Sequence, residues 1–362
     1  MSAGPASPST PDQLSGSARY ERVRDLNSGS YGSVVLALDK LTGQEVAIKY
    51  IERGAEKITK YVEREIINHM KLRHPHVVEL KEVFLTDAHL CIAMEYAANG
   101  DLARYVASRR GLSEDEARWY FQQTMVAVDY CHRMGVTNRD IKLENTLLSG
   151  GPQPLIKLAD FGFSKDACLH SAPSSRVGTP AYLAPEVVSN RPGETYDGMK
   201  ADIWSCGVLL YTMLTATIPF SRPGDSLLKK NQRLNAMLQR ILRGDYLLPS
   251  ERVISESARH LISRMLVVDP DQRYSLQDIF SHPWFKNGLQ PGALDFNEII
   301  VKDSLAHQLP EDLLDAVREI VAEARQVPRG RTGGADIESL DDLVKGVAAA
   351  READQPSLEW KN

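Results

Sequence analysis

The sequence predicts an α+β protein of two lobes, a small strand-rich one followed by a larger helical one, with a separate helical tail. Three patterns point there. Short apolar runs rich in β-forming residues crowd residues 20–97, helical periodicity takes over beyond Gly100, and a lone amphipathic stripe occupies residues 309–327.

Residues 1–19 are rich in Ser, Pro and Gly and are expected to be disordered. Strand-like runs follow at 34–37, 45–50, 83–85 and 89–94, with a helical stretch, roughly 57–72, between the second and third. Residues 98–285 make the helical lobe. There Ser113 and Glu116 have the spacing of a capping box, in which each side chain serves an orphan amide at the helix start. Apolar residues at 117, 120, 121, 124, 125, 128 and 131 continue that helix, and Gly135 is the expected stop. Residues 201–215 are apolar nearly all round, the mark of a helix buried in a core.

Residues 286–308 read as a linker. Pro310 suits a first helical position, and Leu313, Leu314, Val317, Ile320, Val321 and Ala324 form one apolar stripe that must dock on something. A break at 328–334 precedes a weaker helix around 337–352, in a tail, 328–362, expected to be partly disordered.

Composition narrows the function. The 362 residues are 43% hydrophobic and 25% charged, as in ordinary globular proteins. A net charge of −5 argues against nucleic acid as the main partner, because phosphate binding needs an excess of Lys and Arg. No apolar run is long enough for a bilayer span, and the N-terminus lacks the basic start and apolar core of a signal peptide. The expected location is cytoplasm, nucleus or both, without membrane attachment. Cys91, Cys131, Cys168 and Cys206 show no paired or metal-type spacing and read as free thiols.

Residues 26–34 run Leu26, Asn27, Ser28, Gly29, Ser30, Tyr31, Gly32, Ser33, Val34. Two glycines between strands let backbone amides approach phosphates, although a plain hairpin turn has the same look. A dinucleotide fingerprint would open a helix, and a Walker A loop would continue with Gly-Lys-Ser/Thr; neither occurs. Lys49 lies inside an apolar strand, where a charge needs a partner, and Glu65 in the next helix is the candidate.

The decisive stretch holds Asp140, Lys142 and Asn145, followed by Asp160-Phe-Gly162 and then Ala184-Pro-Glu186. Phosphoryl transfer needs a carboxylate to orient a hydroxyl nucleophile and oxygen ligands for Mg²⁺ beside the phosphates. Asp140 suits the first task, and Asn145 and Asp160 the second. Lys142 can neutralise charge on the transferring group.

From about Tyr20 to Phe285 the chain resembles a eukaryotic protein kinase. The resemblance implies a bilobal fold that uses ATP and Mg²⁺, with Val34 and Ala47 above the adenine, Leu147 beneath it and Met94 as gatekeeper. It makes the backbone of Glu95 and Ala97 the hinge, assigns Asp202 to holding the catalytic loop, and pairs Glu186 with Arg273. Residues 178–186, with Lys142, resemble the serine/threonine-specific class. Asp101 and Glu144 stand where basophilic kinases hold arginines of the substrate, which implies an Arg-x-x-Ser/Thr preference.

A narrower resemblance runs through the segments 64–86, 142–148, 160–165, 168–188 and 196–214 and the stripe at 309–327. They are similar to the plant and green-algal sucrose-non-fermenting-related kinases of the second subfamily. The resemblance implies osmotic or nutrient stress signalling, and a regulatory box at 309–327 that packs on the Glu65 helix and favours the active state. It also implies phosphorylation at Ser171 and Ser175, with Ser174 a third candidate, Thr179 as a further regulatory position, and an upstream kinase. A type 2C protein phosphatase is a possible partner, but residues 335–362 carry no acidic block of the kind that engages it in hormone-responsive relatives.

Two positions depart from the family pattern. Asn27 replaces the first glycine of the phosphate loop, and Asn tolerates a left-handed backbone better than most residues. Asn138 replaces a His, so the family's inter-lobe stack would here be Leu80, His69, Phe161 and Asn138. A weak stack, compensated by the 309–327 helix, is the expectation. The alternative to an active protein kinase is a catalytically weak pseudokinase or scaffold acting through its C-terminal helix.

Overall fold

A computed structural model describes residues 14, 17–29, 32–161, 179–191, 195–248, 254–306 and 309–326. They fall into two units, one drawn from 1–70, 79–96 and 309–362, the other from 71–78 and 97–308.

In the first unit, β1 (Tyr20–Gly29), β2 (Gly32–Asp39), β3 (Glu45–Glu52), β4 (Leu80–Leu85) and β5 (His89–Glu95) form one antiparallel sheet in the order β1-β2-β3-β5-β4. The strand β1 escapes simple pattern reading because charged residues interrupt it. Helix α1 (Lys60–Met70) is shorter than the stretch expected and buries Val62, Ile66, His69 and Met70.

Order reaches back further than the composition of residues 1–19 suggests. Leu14 is buried with Tyr20, Val35, Ala37, Ile48 and Cys91. Arg19 pairs with Asp39 at 2.8 Å and with Glu82 at 2.7 Å. A buried leucine and a doubly paired arginine hold these described residues on the sheet.

The second unit contains α2 (Leu102–Arg109), α3 (Glu114–Arg133), the small hairpin of β6 (Thr146–Leu148) and β7 (Ile156–Leu158), α4 (Pro185–Ser189) and α5 (Gly198–Thr215). Then come α6 (Lys230–Arg243), α7 (Glu256–Met265), α8 (Leu276–Ser281), α9 (Pro283–Lys286) and α10 (Phe296–Ala306). Helix α5 is buried along almost its whole length, as its composition requires, and its Gly207 leaves no room for a Cβ against Met265 and Leu266. Helix α3 ends where expected: Gly135 takes φ 72°, and the amides of Gly135 and Val136 return to His132 and Cys131.

Three details differ from the sequence reading. Ser113 accepts the Glu116 amide, but the Glu116 carboxylate turns instead to the Tyr105 hydroxyl at 2.6 Å and to Arg109 at 3.2 Å. Residues 71–78, inside the span expected for the first lobe, belong to the helical unit: Val77 bridges Leu158 and His74 bonds Asn297. The segment 286–308, read as a linker, contains α10, whose buried Asn297 also donates to the Val126 carbonyl and to Asp129.

Helix α11 (Glu311–Ala324) returns to the first unit, with Pro310 one place earlier than expected, at the N-cap. Leu313, Val317, Ile320, Val321 and Ala324 are buried, and the helix lies on α1, β4 and β5. Its last carbonyls meet the start of the β3–α1 connection: the Gly54 amide donates to Ala324 at 2.9 Å and Arg53 to Glu323 at 3.1 Å. The weaker helix expected near 337–352 lies outside the described residues.

Candidate active site

In the first unit, register decides which side chains share a face. Val34 pairs with Lys49, Ala47 with Met94, and Lys49 with Ile92. Cross-strand partners share a face, so Val34, Ala47, Lys49 and Met94 lie together. Val46, Ile48 and Tyr50 take the opposite face and pack with Leu14. Glu95 ends β5 opposite Val46. Glu65 stands half-buried on α1, between the buried Val62 and His69.

The phosphate-loop candidates bracket a hairpin. Leu26 lies beside a register shift in β1; Asn27 pairs with Val34, Ser28 with Ser33 and Gly29 with Gly32. Ser30 and Tyr31 fall outside the described residues. Asn27 is not among the left-handed residues, so its substitution for glycine places no strained backbone here.

In the second unit, the buried Ala97 leads into a segment held against β6: the Leu148 amide donates to Gly100 and the Asn99 amide to Leu148. That pairing brings Asp101 beside Leu147. Asp101 caps α2 through the Arg104 amide at 2.8 Å and also meets Arg104 Nε at 3.2 Å, while Glu144 is exposed.

Directional hydrogen bonds fix the loop carrying Asp140. Asp202 is 0% exposed within α5, and its two oxygens accept the amides of Asn138 at 3.0 Å and Arg139 at 2.8 Å. His132 Nε2 lies 2.9 Å from the same carboxylate. Arg139 needs this support because it takes φ 62°, a left-handed conformation that costs on the order of 1–3 kcal/mol in a non-glycine residue. Asp160 shares the trait at φ 52°. Arg139 itself is exposed, its Nε bonded to the Thr137 hydroxyl at 2.8 Å.

Within that frame the Asp140 carboxylate meets Lys142 Nζ at 2.7 Å and Asn145 Nδ2 at 2.7 Å. Burial raises its pKa above the usual Asp range and the Asp160 charge adds to this, while Lys142 and Asn145 pull the other way. Both hydrogens of the Asn145 amide go to Asp140, one to the carboxylate and one to the carbonyl at 3.0 Å. The oxygen of Asn145 is therefore the end that can meet a cation.

Such a donor set suits Mg²⁺, a hard ion that takes one or two protein oxygens and completes its shell with water and phosphate. Among the described residues no group of three or more His, Cys, Asp and Glu gathers as it would around a softer, protein-caged metal.

Glu186 and Arg273 form a two-pronged ion pair at 2.7 and 2.9 Å, as expected. Thr179 opens a short 3-10 turn, Thr179–Tyr182. Ser171, Ser174, Ser175, Cys168 and Gly162 fall outside the described residues. Cys91, Cys131 and Cys206 are buried, and burial pushes their thiols up, Cys91 to about 12, so they are unreactive.

Sequence reading missed His132 on Asp202, Thr137 on Arg139, and the two bonds made by the Asn138 side chain. The last had a local signal. Asn138 Oδ1 accepts the Asp140 amide at 3.1 Å, the turn that an Asn two residues ahead of an amide favours.

This architecture and loop define a phosphotransferase domain, and residues 20–285 match the protein kinase domain family. Serine/threonine-protein kinase SRK2A of Physcomitrium patens is 46% identical over 325 residues, covering 90% of each chain. SRK2E of Arabidopsis thaliana is 46% identical over 334 residues, covering 90% of this chain and 89% of the relative. SAPK3 of Oryza sativa is 44% identical over 327 residues, covering 90% and 94%. The chain belongs to the protein kinase family, and within it to the plant sucrose-non-fermenting-related serine/threonine kinases of the second subfamily. Among the described residues no helix is long and apolar enough to cross a membrane.

Proposed function

We propose that this serine/threonine kinase phosphorylates proteins at Ser or Thr in Arg-x-x-Ser/Thr contexts, within osmotic or nutrient stress signalling. The observation that carries the catalytic reading is the Asp140 carboxylate, held by Lys142 and Asn145 on a loop tied down by Asp202. Asp140 accepts a hydrogen bond from the substrate hydroxyl and aims it; its raised pKa suits brief possession of that proton. Lys142 holds Asp140 and offsets negative charge at the transferring group. On the family resemblance, Lys49, oriented by Glu65, contacts the nucleotide phosphates, and Val34 and Ala47 face the base, with the Glu95 backbone at its polar edge. Asn145 and Asp160 are the residues that would hold magnesium. Bound with ATP, Mg²⁺ neutralises charge on the phosphates.

The exposed Glu144 and the acidic edge at Asp101 support the arginine preference. The subfamily resemblance supports the stress context, while residues 335–362, without an acidic block, speak against a type 2C phosphatase contact of the hormone-responsive kind. The chain, with Mg-ATP, is expected to phosphorylate an Arg-x-x-Ser peptide, Arg→Ala in that peptide to lower kcat/KM at least about tenfold, and Asp140→Ala to abolish the signal. Equal rates on both peptides would remove the arginine preference.

We assign regulation to phosphorylation of Ser171 and Ser175 by an upstream kinase, with the exposed Arg139 as a phosphate partner. Ser175→Ala should lower kcat severalfold, and unchanged activity would remove the assignment.

A further inference from the structure

We infer that Asn138 is a positioning residue that ties the orientation of Asp140 to that of the segment carrying Asp160. The inference rests on the proposed role of Asp140 and deepens it.

Four residues close a ring of hydrogen bonds. Asn138 Oδ1 accepts the Asp140 amide at 3.1 Å. Asp140 accepts from Asn145 Nδ2 through its carbonyl at 3.0 Å and through its carboxylate at 2.7 Å. The Asn145 carbonyl accepts the Ala159 amide at 2.9 Å. The Ala159 carbonyl accepts from Asn138 Nδ2 at 3.4 Å, the longest link. Ala159 is thus held at both its amide and its carbonyl, immediately before the left-handed Asp160.

Asn138 is suited to this by chemistry and by place. Its side chain carries an acceptor and a donor on one short planar group, so it can serve both partners at once. It is 1% exposed, so neither bond can be traded for water without cost, and its own amide is fixed by Asp202. Loss of the side chain frees the amide of the residue that orients the nucleophile and one end of the peptide preceding the metal-binding carboxylate. A displacement of under an ångström between those two carboxylates suffices to slow transfer without weakening nucleotide binding.

The test uses the full chain as Asn138→Leu, which keeps the branched shape and loses both bonds, and Asn138→Asp, which keeps the acceptor alone. Asp140→Asn is the control. For Asn138→Leu, kcat should fall about tenfold to a hundredfold while KM for ATP stays within about threefold. In the nucleotide-free protein the Asp140 amide should exchange its hydrogen about tenfold faster. Asn138→Asp should retain that protection, with an intermediate kcat.

Parental kcat in Asn138→Leu beside an inactive Asp140→Asn would overturn the inference. So would a parallel loss of kcat, KM and melting temperature with no faster exchange at Asp140, since that pattern marks a merely structural side chain. An active Asp140→Asn would instead remove the reading of Asp140 on which the inference stands.

Discussion

The loop 138–145 and helix α11 are each pinned to a larger body within their own unit, by different forces. The loop is fixed by directional bonds: two amides on the buried Asp202 carboxylate and an ammonium and an amide on Asp140. Helix α11 is held chiefly by an apolar stripe, Leu313, Val317, Ile320, Val321 and Ala324, with Arg53 and Gly54 at its C-terminal end. Hydrogen bonds to a charge fix where atoms lie, while apolar burial fixes only that two surfaces stay together. The first suits chemistry, which fails with small displacements. The second suits an element that need only stay against its neighbours, here α1, β4 and β5.

The comparison is sharpest at Asp202. Asp202→Ala strands one buried and one part-buried amide and leaves the left-handed Arg139 unsupported, a loss of about 3 kcal/mol of loop positioning and about a hundredfold in kcat. Steady-state kinetics beside thermal melting will check it; a folded variant with full activity would show that the loop holds itself.

Next comes α11. Val317→Asp places a carboxylate on the buried stripe, which should undock the helix and lower kcat about tenfold with little change in KM for ATP. Wild-type kcat in this variant would separate the docked helix from activity altogether.

The smallest effect concerns pH. On the proposed role the carboxylate form of Asp140 is the working one; burial raises its pKa, and Lys142 opposes that rise. Lys142→Ala removes the opposing cation, so the acid limb of the kcat profile should move to higher pH. A limb that stays put or moves lower would mean that another group sets it.

Much of the site was legible because its residues sit close together in the chain. Asp140, Lys142 and Asn145 lie within one short loop, so their spacing carries their geometry, and the Ser113 cap and the Gly135 stop were visible for the same reason. Glu116 shows where local reading fails. Its carboxylate had a local partner and a more distant one in Tyr105, and the distant hydroxyl won. Asn138 shows the same limit at the site: the turn to Asp140 is local, the bond to Ala159 is not. Leu14 and Asn297 were missed for a related reason, since each is a single side chain whose partners lie far along the chain.

The sequence by itself determined the α+β class, the kinase resemblance, the catalytic loop and an amphipathic helix that needed a partner. These follow from periodicity and short-range spacing, which the backbone translates directly into faces and loops. Tertiary structure alone decided that Asp202 and His132 converge under the loop, that residues 71–78 join the helical unit, and that α11 lies on α1. Those choices depend on which buried groups find complementary partners far along the chain, and no local pattern encodes that competition.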